Sequence, residues 1–139
     1  MRPVSEAPTP TREVAVRLEP DGGFALDGGV TLPSVVQQVA LYGTPRDGGA
    51  NVVLVTHALT GSGRVADWWP GVVGPGCLID TERLCVVGVN ALGGCYGSTG
   101  PSSNSSDGRP YGSRFPVVTV RDIVRAQRAA LSHLGIERL

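Results

Sequence analysis

Two short apolar segments near the middle of the sequence constrain its fold more than any other feature. Val52 to Thr56 reads VVLVT, and Cys85 to Asn90 reads CVVGVN. Neither segment alternates apolar with polar residues, as a strand exposed on one face would. Continuous apolar strands are typical of a sheet that is mostly parallel and covered on both faces. The intervening residues 57–84 are numerous enough for the crossover that two parallel strands require.

Three further segments complete the predicted order of elements. Val14 to Leu18 and Val35 to Tyr42 are apolar and β-branched, and each predicts an early strand. The clearest helix spans Val120 to Leu134, with Thr119 and Asp122 spaced as a capping box. Its apolar face is predicted to hold Val120, Ile123, Val124, Gln127, Ala130, Leu131 and Leu134, with Arg121, Arg125 and Arg128 facing water.

This order predicts an α/β domain, with two early strands, a buried strand, a loop, a second buried strand, a loop and a helix. Residues 1–12 contain several prolines and predict a flexible lead-in, so the domain is expected over residues 13–139. Gly135 suits a helix C-terminus, and the apolar residue after it should lead into another strand. That strand is not in the sequence, so the domain is expected to be incomplete.

Composition excludes several classes of function. The formal net charge is zero, which gives no basic field for nucleic acid or an anionic membrane. All basic residues are arginine, and the lack of lysine excludes a phosphate-binding Walker loop. The three cysteines form no C-x-x-C pair, which indicates free thiols and no metal site. With no apolar run long enough to span a membrane and no signal peptide, the protein is predicted to be cytoplasmic.

The segment THALTGS at 56–62 follows the first buried strand and is the main candidate for chemistry. A turn at the carboxyl end of a parallel strand directs backbone N–H groups toward the crevice where α/β proteins bind ligands. Such a donor can stabilise a developing oxyanion, and Leu59 N–H is the candidate, with Thr60 beside it. Taken alone, the spacing favours an ordinary strand-to-loop turn over an oxyanion-hole turn.

Other residues offer weaker signals. His57 lacks a neighbouring nucleophile and acid in the sequence, so we expect a turn histidine satisfied by local hydrogen bonds rather than a general base. The Gly- and Ser-rich loop at 91–116 is long enough to be either functional or disordered. None of its serines lies in a G-x-S-x-G turn, which presents the nucleophile in serine hydrolases.

Four segments together resemble the homoserine O-acetyltransferase family, which consists of α/β-hydrolase-fold acyltransferases of methionine biosynthesis. They are THALTGS at 56–62, VNALGGCYGSTGPSS at 89–103, YGSRFPVVTVRDIVRAQ at 111–127 and LGIERL at 134–139. The similarity covers most of the chain from about Val35 onward. The most specific parts are the GGCYGSTGPSS and FPVVTVRD stretches.

The resemblance implies the N-terminal part of an α/β-hydrolase fold, with antiparallel first strands, helices on both faces and a chain truncated before the nucleophile elbow. It implies ping-pong transfer of an acetyl group from acetyl-CoA to the hydroxyl of L-homoserine through a Ser acyl-enzyme. The catalytic Ser, Asp and His are then expected beyond residue 139, so this fragment alone should be inactive. Within the chain, Leu59 would supply the oxyanion-hole amide, while Thr60, Gly61 and Ser62 are candidate substrate-binding residues.

The resemblance also implies no bound cofactor or metal, acetyl-CoA as co-substrate, and a homodimer when the protein is complete. Nucleic acid and membrane are not expected partners. Two alternatives stay open. Relatives with similar motifs transfer succinyl to homoserine or serine, and a plain α/β-hydrolase esterase would lack a site for the amino-acid acceptor.

Overall fold

The structure is a computed structural model that describes residues 7–139. Its elements, in chain order, are β1 (Arg12–Leu18), β2 (Phe24–Ala25), β3 (Thr31–Leu32), β4 (Val35–Tyr42), β5 (Val52–Val55), α1 (Val65–Trp68), β6 (Val73–Gly74), β7 (Ile79–Asp80), β8 (Cys85–Val89), a short 3₁₀ helix (Gly112–Arg114) and α2 (Val120–His133). Residues 1–6, the first half of the predicted lead-in, lie outside the described residues. The lead-in remains a prediction there, and the first strand begins at Arg12, one residue before the predicted domain boundary.

Four of these strands form one mixed sheet in the order β1-β4-β8-β5. β8 pairs in parallel with β5, with Val55 opposite Gly88, and antiparallel with β4, with Val39 opposite Val89. The two apolar segments therefore form the predicted parallel pair, and the early strand β4 is antiparallel as expected. Every residue of β8 is buried, because a strand between two neighbours and covered on both faces excludes water. β5 is the outermost strand of this sheet.

The chain divides into two compact units. The first consists of residues 39–89 and 135–139 together with residues 7–14 of the N-terminal segment. Its core is a cluster of small and β-branched side chains around one aromatic ring, Ala40, Tyr42, Val55, Val65, Ala66, Val73 and Val86. Ala40, Tyr42 and Val86 come from adjacent strands, whereas Val65 and Ala66 come from the short helix α1. The turn before α1 is thereby anchored by buried apolar residues.

The second unit comprises residues 15–38 and 90–134 and contains α2. The predicted capping box is present, because the Thr119 hydroxyl accepts from Asp122 N–H at 3.2 Å and Thr119 N–H donates to the Asp122 carboxylate at 2.9 Å. Asp122 also accepts from Asp27 N–H at 3.0 Å and from the Arg125 guanidinium. Burial raises the pKa of Asp122, but these hydrogen bonds outweigh it and lower the pKa to about 2.

The predicted apolar face of α2 is partly wrong. Val120 and Val124 are 77% and 55% exposed, and Asp122 and Ala126, which lie outside the predicted face, are buried. Gln127, Ala130 and Leu131 are buried as predicted. The buried Asp122 carboxylate accepts from the backbone N–H of Asp27, so the side of the helix that carries residue 122 faces inward. The three arginines of the predicted wet side are exposed, as expected.

Candidate functional site

The segment 56–62 follows β5 at the carboxyl end of the parallel pair, as the sequence predicted. Gly61 N–H donates to Ala58 O at 2.9 Å and closes a four-residue turn whose central residues are Leu59 and Thr60. Leu59 N–H takes no part in the sheet ladder, and no acceptor for it exists among residues 7–139. The Leu59 side chain is fully exposed, so the residue contributes an accessible amide and little packing.

The other candidate residues lie in the same turn and just after it. The Thr60 hydroxyl has no hydrogen-bond partner within the described part of the chain. The Gly61 N–H is already used in the turn, where it donates to Ala58 O. Ser62 forms hydrogen bonds with the start of α1. Its hydroxyl accepts from Arg64 N–H at 3.3 Å, and its carbonyl accepts from the Trp68 indole N–H at 3.0 Å. The structure therefore brings the four predicted residues together, and their roles stay predictions.

Close backbone packing holds this segment against β8. A methyl group added to Gly88 would lie 1.9 Å from Gly63 O, so the two backbones are in direct contact there. Gly61 is also tight, since an added Cβ would be 3.1 Å from the His57 Cβ. We did not predict the Gly63–Gly88 contact from the sequence. The available signal was the lone glycine inside an apolar strand, which often marks the close approach of another backbone.

His57 behaves as the sequence indicated. Its Nδ1 lies 2.8 Å from Ala58 O, so this nitrogen carries the proton and donates to the carbonyl. The imidazole therefore helps to close the turn, and the expectation of a locally hydrogen-bonded histidine is confirmed. His133 is the last residue of α2 and is exposed, as a surface position.

Two buried titratable side chains of the first unit have raised pKa values. Burial raises the pKa of Cys85 to about 11, and burial also raises the pKa of Tyr42. A thiol with so high a pKa is a poor nucleophile at neutral pH. All three cysteines are free, as predicted. Within residues 7–139, no group of three His, Cys, Asp or Glu side chains is placed to hold a metal, and no helix is long and apolar enough to cross a bilayer.

Part of the 91–116 loop is hydrogen-bonded to β4. Thr99 N–H donates to Val36 O at 2.9 Å, and the Thr99 hydroxyl accepts from Val36 N–H at 2.8 Å. Ser98 accepts from Gln38 N–H at 3.0 Å and donates to Asn90 O at 2.5 Å. These bonds continue the pairing of β4 along its first half. Ser98 thus supports structure, and none of the serines of this loop lies in a G-x-S-x-G turn.

The known proteins that resemble the chain include homoserine O-acetyltransferases and an esterase. No family model matches the chain. It is 45% identical to the homoserine O-acetyltransferase of Mycobacterium ulcerans, over 98% of this chain and 39% of the relative. Among solved structures, homoserine O-acetyltransferase from Bacillus anthracis superimposes with a TM-score of 0.79 at 26% identity, over 92% of this chain and 38% of that one. Esterase E22 gives 0.78 at 35% identity, over 92% and 39%. The chain therefore spans about two fifths of the length of the relatives it matches.

Proposed function

Because the chain belongs to the homoserine O-acetyltransferase family and has the corresponding part of an α/β-hydrolase fold, we propose that it forms part of an acyltransferase. The proposed reaction moves an acetyl group from acetyl-CoA to the hydroxyl of L-homoserine. The observation that carries this proposal is the turn after β5, which holds the Leu59 amide without an acceptor among the described residues.

In the proposed mechanism, a serine takes the acetyl group from acetyl-CoA, and the homoserine hydroxyl then attacks the acyl-enzyme. Each step passes through a tetrahedral intermediate whose oxyanion needs hydrogen-bond donors that are already in position. Leu59 N–H is one such donor, held by the Ala58–Gly61 turn and by the contact of Gly63 with β8. Because the described residues supply this donor and no G-x-S-x-G serine, the 139 residues alone should not turn over. The Ser, Asp and His come from other residues.

The residues next to the Leu59 amide are candidates for substrate contact. Thr60 offers a free hydroxyl beside the amide, and Gly61 and Ser62 shape the adjoining backbone, so these residues would contact the acyl group or the acceptor. No cofactor is required besides acetyl-CoA as co-substrate. We propose that the protein is a cytoplasmic homodimer. We also propose that it binds neither nucleic acid nor membrane, which is consistent with its zero net charge.

The role of the Leu59 amide can be tested with a matched pair of variants. Both are made in a protein that also contains the proposed catalytic Ser, Asp and His. Leu59→Pro removes the N–H at the second turn position, where proline is favoured, and Leu59→Ala changes only an exposed side chain. Transfer from acetyl-CoA to L-homoserine is followed by release of free thiol. We expect kcat of the proline variant to fall about 100- to 1,000-fold, and that of the alanine variant to stay close to the parent. Equal activities would remove the amide from the mechanism.

A second candidate function is hydrolysis of acetyl esters, because esterase E22 is more identical to this chain than the solved acetyltransferase is. Both reactions use the same acyl-enzyme and differ in whether water or an amino-acid hydroxyl attacks it. Measuring acetate and O-acetylhomoserine from the same acetyl-CoA reaction separates them. A parallel assay with succinyl-CoA tests the acyl group. Acetate alone, at every homoserine concentration, would identify an esterase.

A further inference from the structure

The second unit contains a cavity that lies outside the turn described above, with a volume of about 440 Å³. We call it the Arg17 cavity, because Arg17 is the only charged residue that lines it among the described residues. Volumes of this size are typical of sites for small organic ligands. The walls come from β1, from the start of β4 and from the 97–111 part of the long loop.

The walls of the Arg17 cavity are fixed by hydrogen bonds. Thr99 joins Val36 through two bonds of 2.8 and 2.9 Å, which fasten the loop to β4. Farther along, Ser103 accepts from Gly100 N–H with its hydroxyl at 3.0 Å and from Tyr111 N–H with its carbonyl at 2.9 Å. The cavity is therefore preformed, and a ligand would not have to order the loop on binding.

The polar groups around the Arg17 cavity are suited to an anion. Four of them, the side chains of Ser34, Asn104, Ser106 and Tyr111, have no hydrogen-bond partner among residues 7–139. Within the same residues, no side chain that lines the cavity carries a carboxylate, and the Asp107 carboxylate next to it is bound by the hydroxyl of Ser105, a lining residue. Arg17 uses Nε for Glu19, in a pair that is 62% and 61% exposed and therefore weak. Both Nη groups remain available as donors.

We propose that the Arg17 cavity binds a small phosphorylated molecule, with the phosphate held by Arg17 and the neighbouring hydroxyl and amide donors. A phosphate has three oxygens that accept several hydrogen bonds at once, and arginine pairs with it through two parallel N–H donors. Bare phosphate would fill only part of the volume, so the rest of the cavity is available to the organic part of a phosphate ester. This proposal is independent of acyl transfer.

The test uses the purified protein, labelled with ¹⁵N, and inorganic phosphate as the first probe, with chloride at matched ionic strength as the reference. We expect saturable shifts of the amides of residues 103–106 and of the Arg17 side chain. Glycerol 3-phosphate and ribose 5-phosphate should bind more tightly than phosphate, and glycerol and ribose should not bind. Binding of the unphosphorylated compounds at equal strength would overturn the phosphate assignment.

Variants distinguish a built site from general charge attraction. Arg17→Gln should weaken phosphate binding by about tenfold or more, because it removes a charge-assisted pair. Arg12→Gln makes the same charge change on the same strand at a residue that does not line the cavity, and should leave the affinity unchanged. If both variants weaken binding equally, or if chloride produces the same shifts, the proposal is wrong.

Discussion

Replacing Gly88 by alanine tests how the fold positions the turn that carries the Leu59 amide. The new methyl group would lie 1.9 Å from Gly63 O, 2.7 Å from Gly63 C and 2.9 Å from Gly63 Cα. Gly88 cannot retreat, because it is paired with Val55 on one side and with Ala40 on the other. The Gly63 segment must therefore move.

The size of the movement is set by the contact distance. For the distance between the methyl carbon and Gly63 O to increase to 3.0 Å, Gly63 O has to shift by about 1.1 Å. A closely packed interior contains no empty space that could accommodate the methyl group without this shift. The segment from His57 to Gly63 is short and tight, so the turn moves with the carbonyl. Misplacing a catalytic group by about 1 Å can lower a rate about 100-fold, and overpacking costs roughly 1–3 kcal/mol of stability.

The assay compares Gly88→Ala with Val87→Ala in a protein that also contains the proposed catalytic Ser, Asp and His. Val87 is fully buried in the same strand, so its truncation leaves a cavity that lowers stability without pushing on Gly63. We expect kcat for acetyl transfer to fall about 100-fold for Gly88→Ala, and much less for Val87→Ala at similar loss of thermal stability. In ¹⁵N spectra, only the glycine variant should shift the Leu59 and Gly61 amides. Equal loss of kcat in the two variants, or unchanged amide shifts, would refute the reasoning.

Three further predictions concern stability and reactivity. The folded-state pKa of Asp122 is about 2, below its ordinary value of 3.8, so its contribution is complete above about pH 5 and is lost as the pH falls toward 2. Asp122→Asn should lower the free energy of unfolding by about 2 kcal/mol at pH 7 and flatten this acid dependence, as measured by urea denaturation. Gly49→Ala should destabilise by roughly 1–3 kcal/mol, because its φ is 107° and its Cβ would lie 2.2 Å from Arg138 O. A thiol reagent should modify the exposed Cys95 in the folded protein and leave the buried Cys85 unmodified.

Clear outcomes would contradict these three. An Asp122→Asn variant with the same acid dependence as the parent would show that other carboxylates control acid unfolding. Gly28→Ala is the control for Gly49, because its methyl would meet nothing closer than 4.0 Å, and equal stability of the two variants would remove the packing argument. Modification of all cysteines at one rate would indicate that β8 opens easily.

The sequence by itself determined the four strands of the main sheet and the helix α2, whereas the short strands β2, β3, β6 and β7 were not predicted. β4 spans the predicted residues 35–42, and the parallel pair of β5 and β8 was predictable from two apolar segments, since such strands need cover on both faces. Local chemistry also sufficed for the α2 N-terminus, where the capping box needs only residues three apart. The resemblance to acyltransferases rested on local motifs as well, and the comparisons confirm it.

Only the tertiary structure decided which surfaces meet across long separations in sequence. The buried carboxylate of Asp122 accepts from the backbone N–H of Asp27, which lies 95 residues away, whereas Val120 and Val124 on the same helix are exposed. The position of the Leu59 turn depends on the backbone of Gly63 touching Gly88. Side-chain periodicity records which face of an element is apolar, but it does not record which distant backbone or carboxylate that face will contact. Those contacts exist only once the chain has folded.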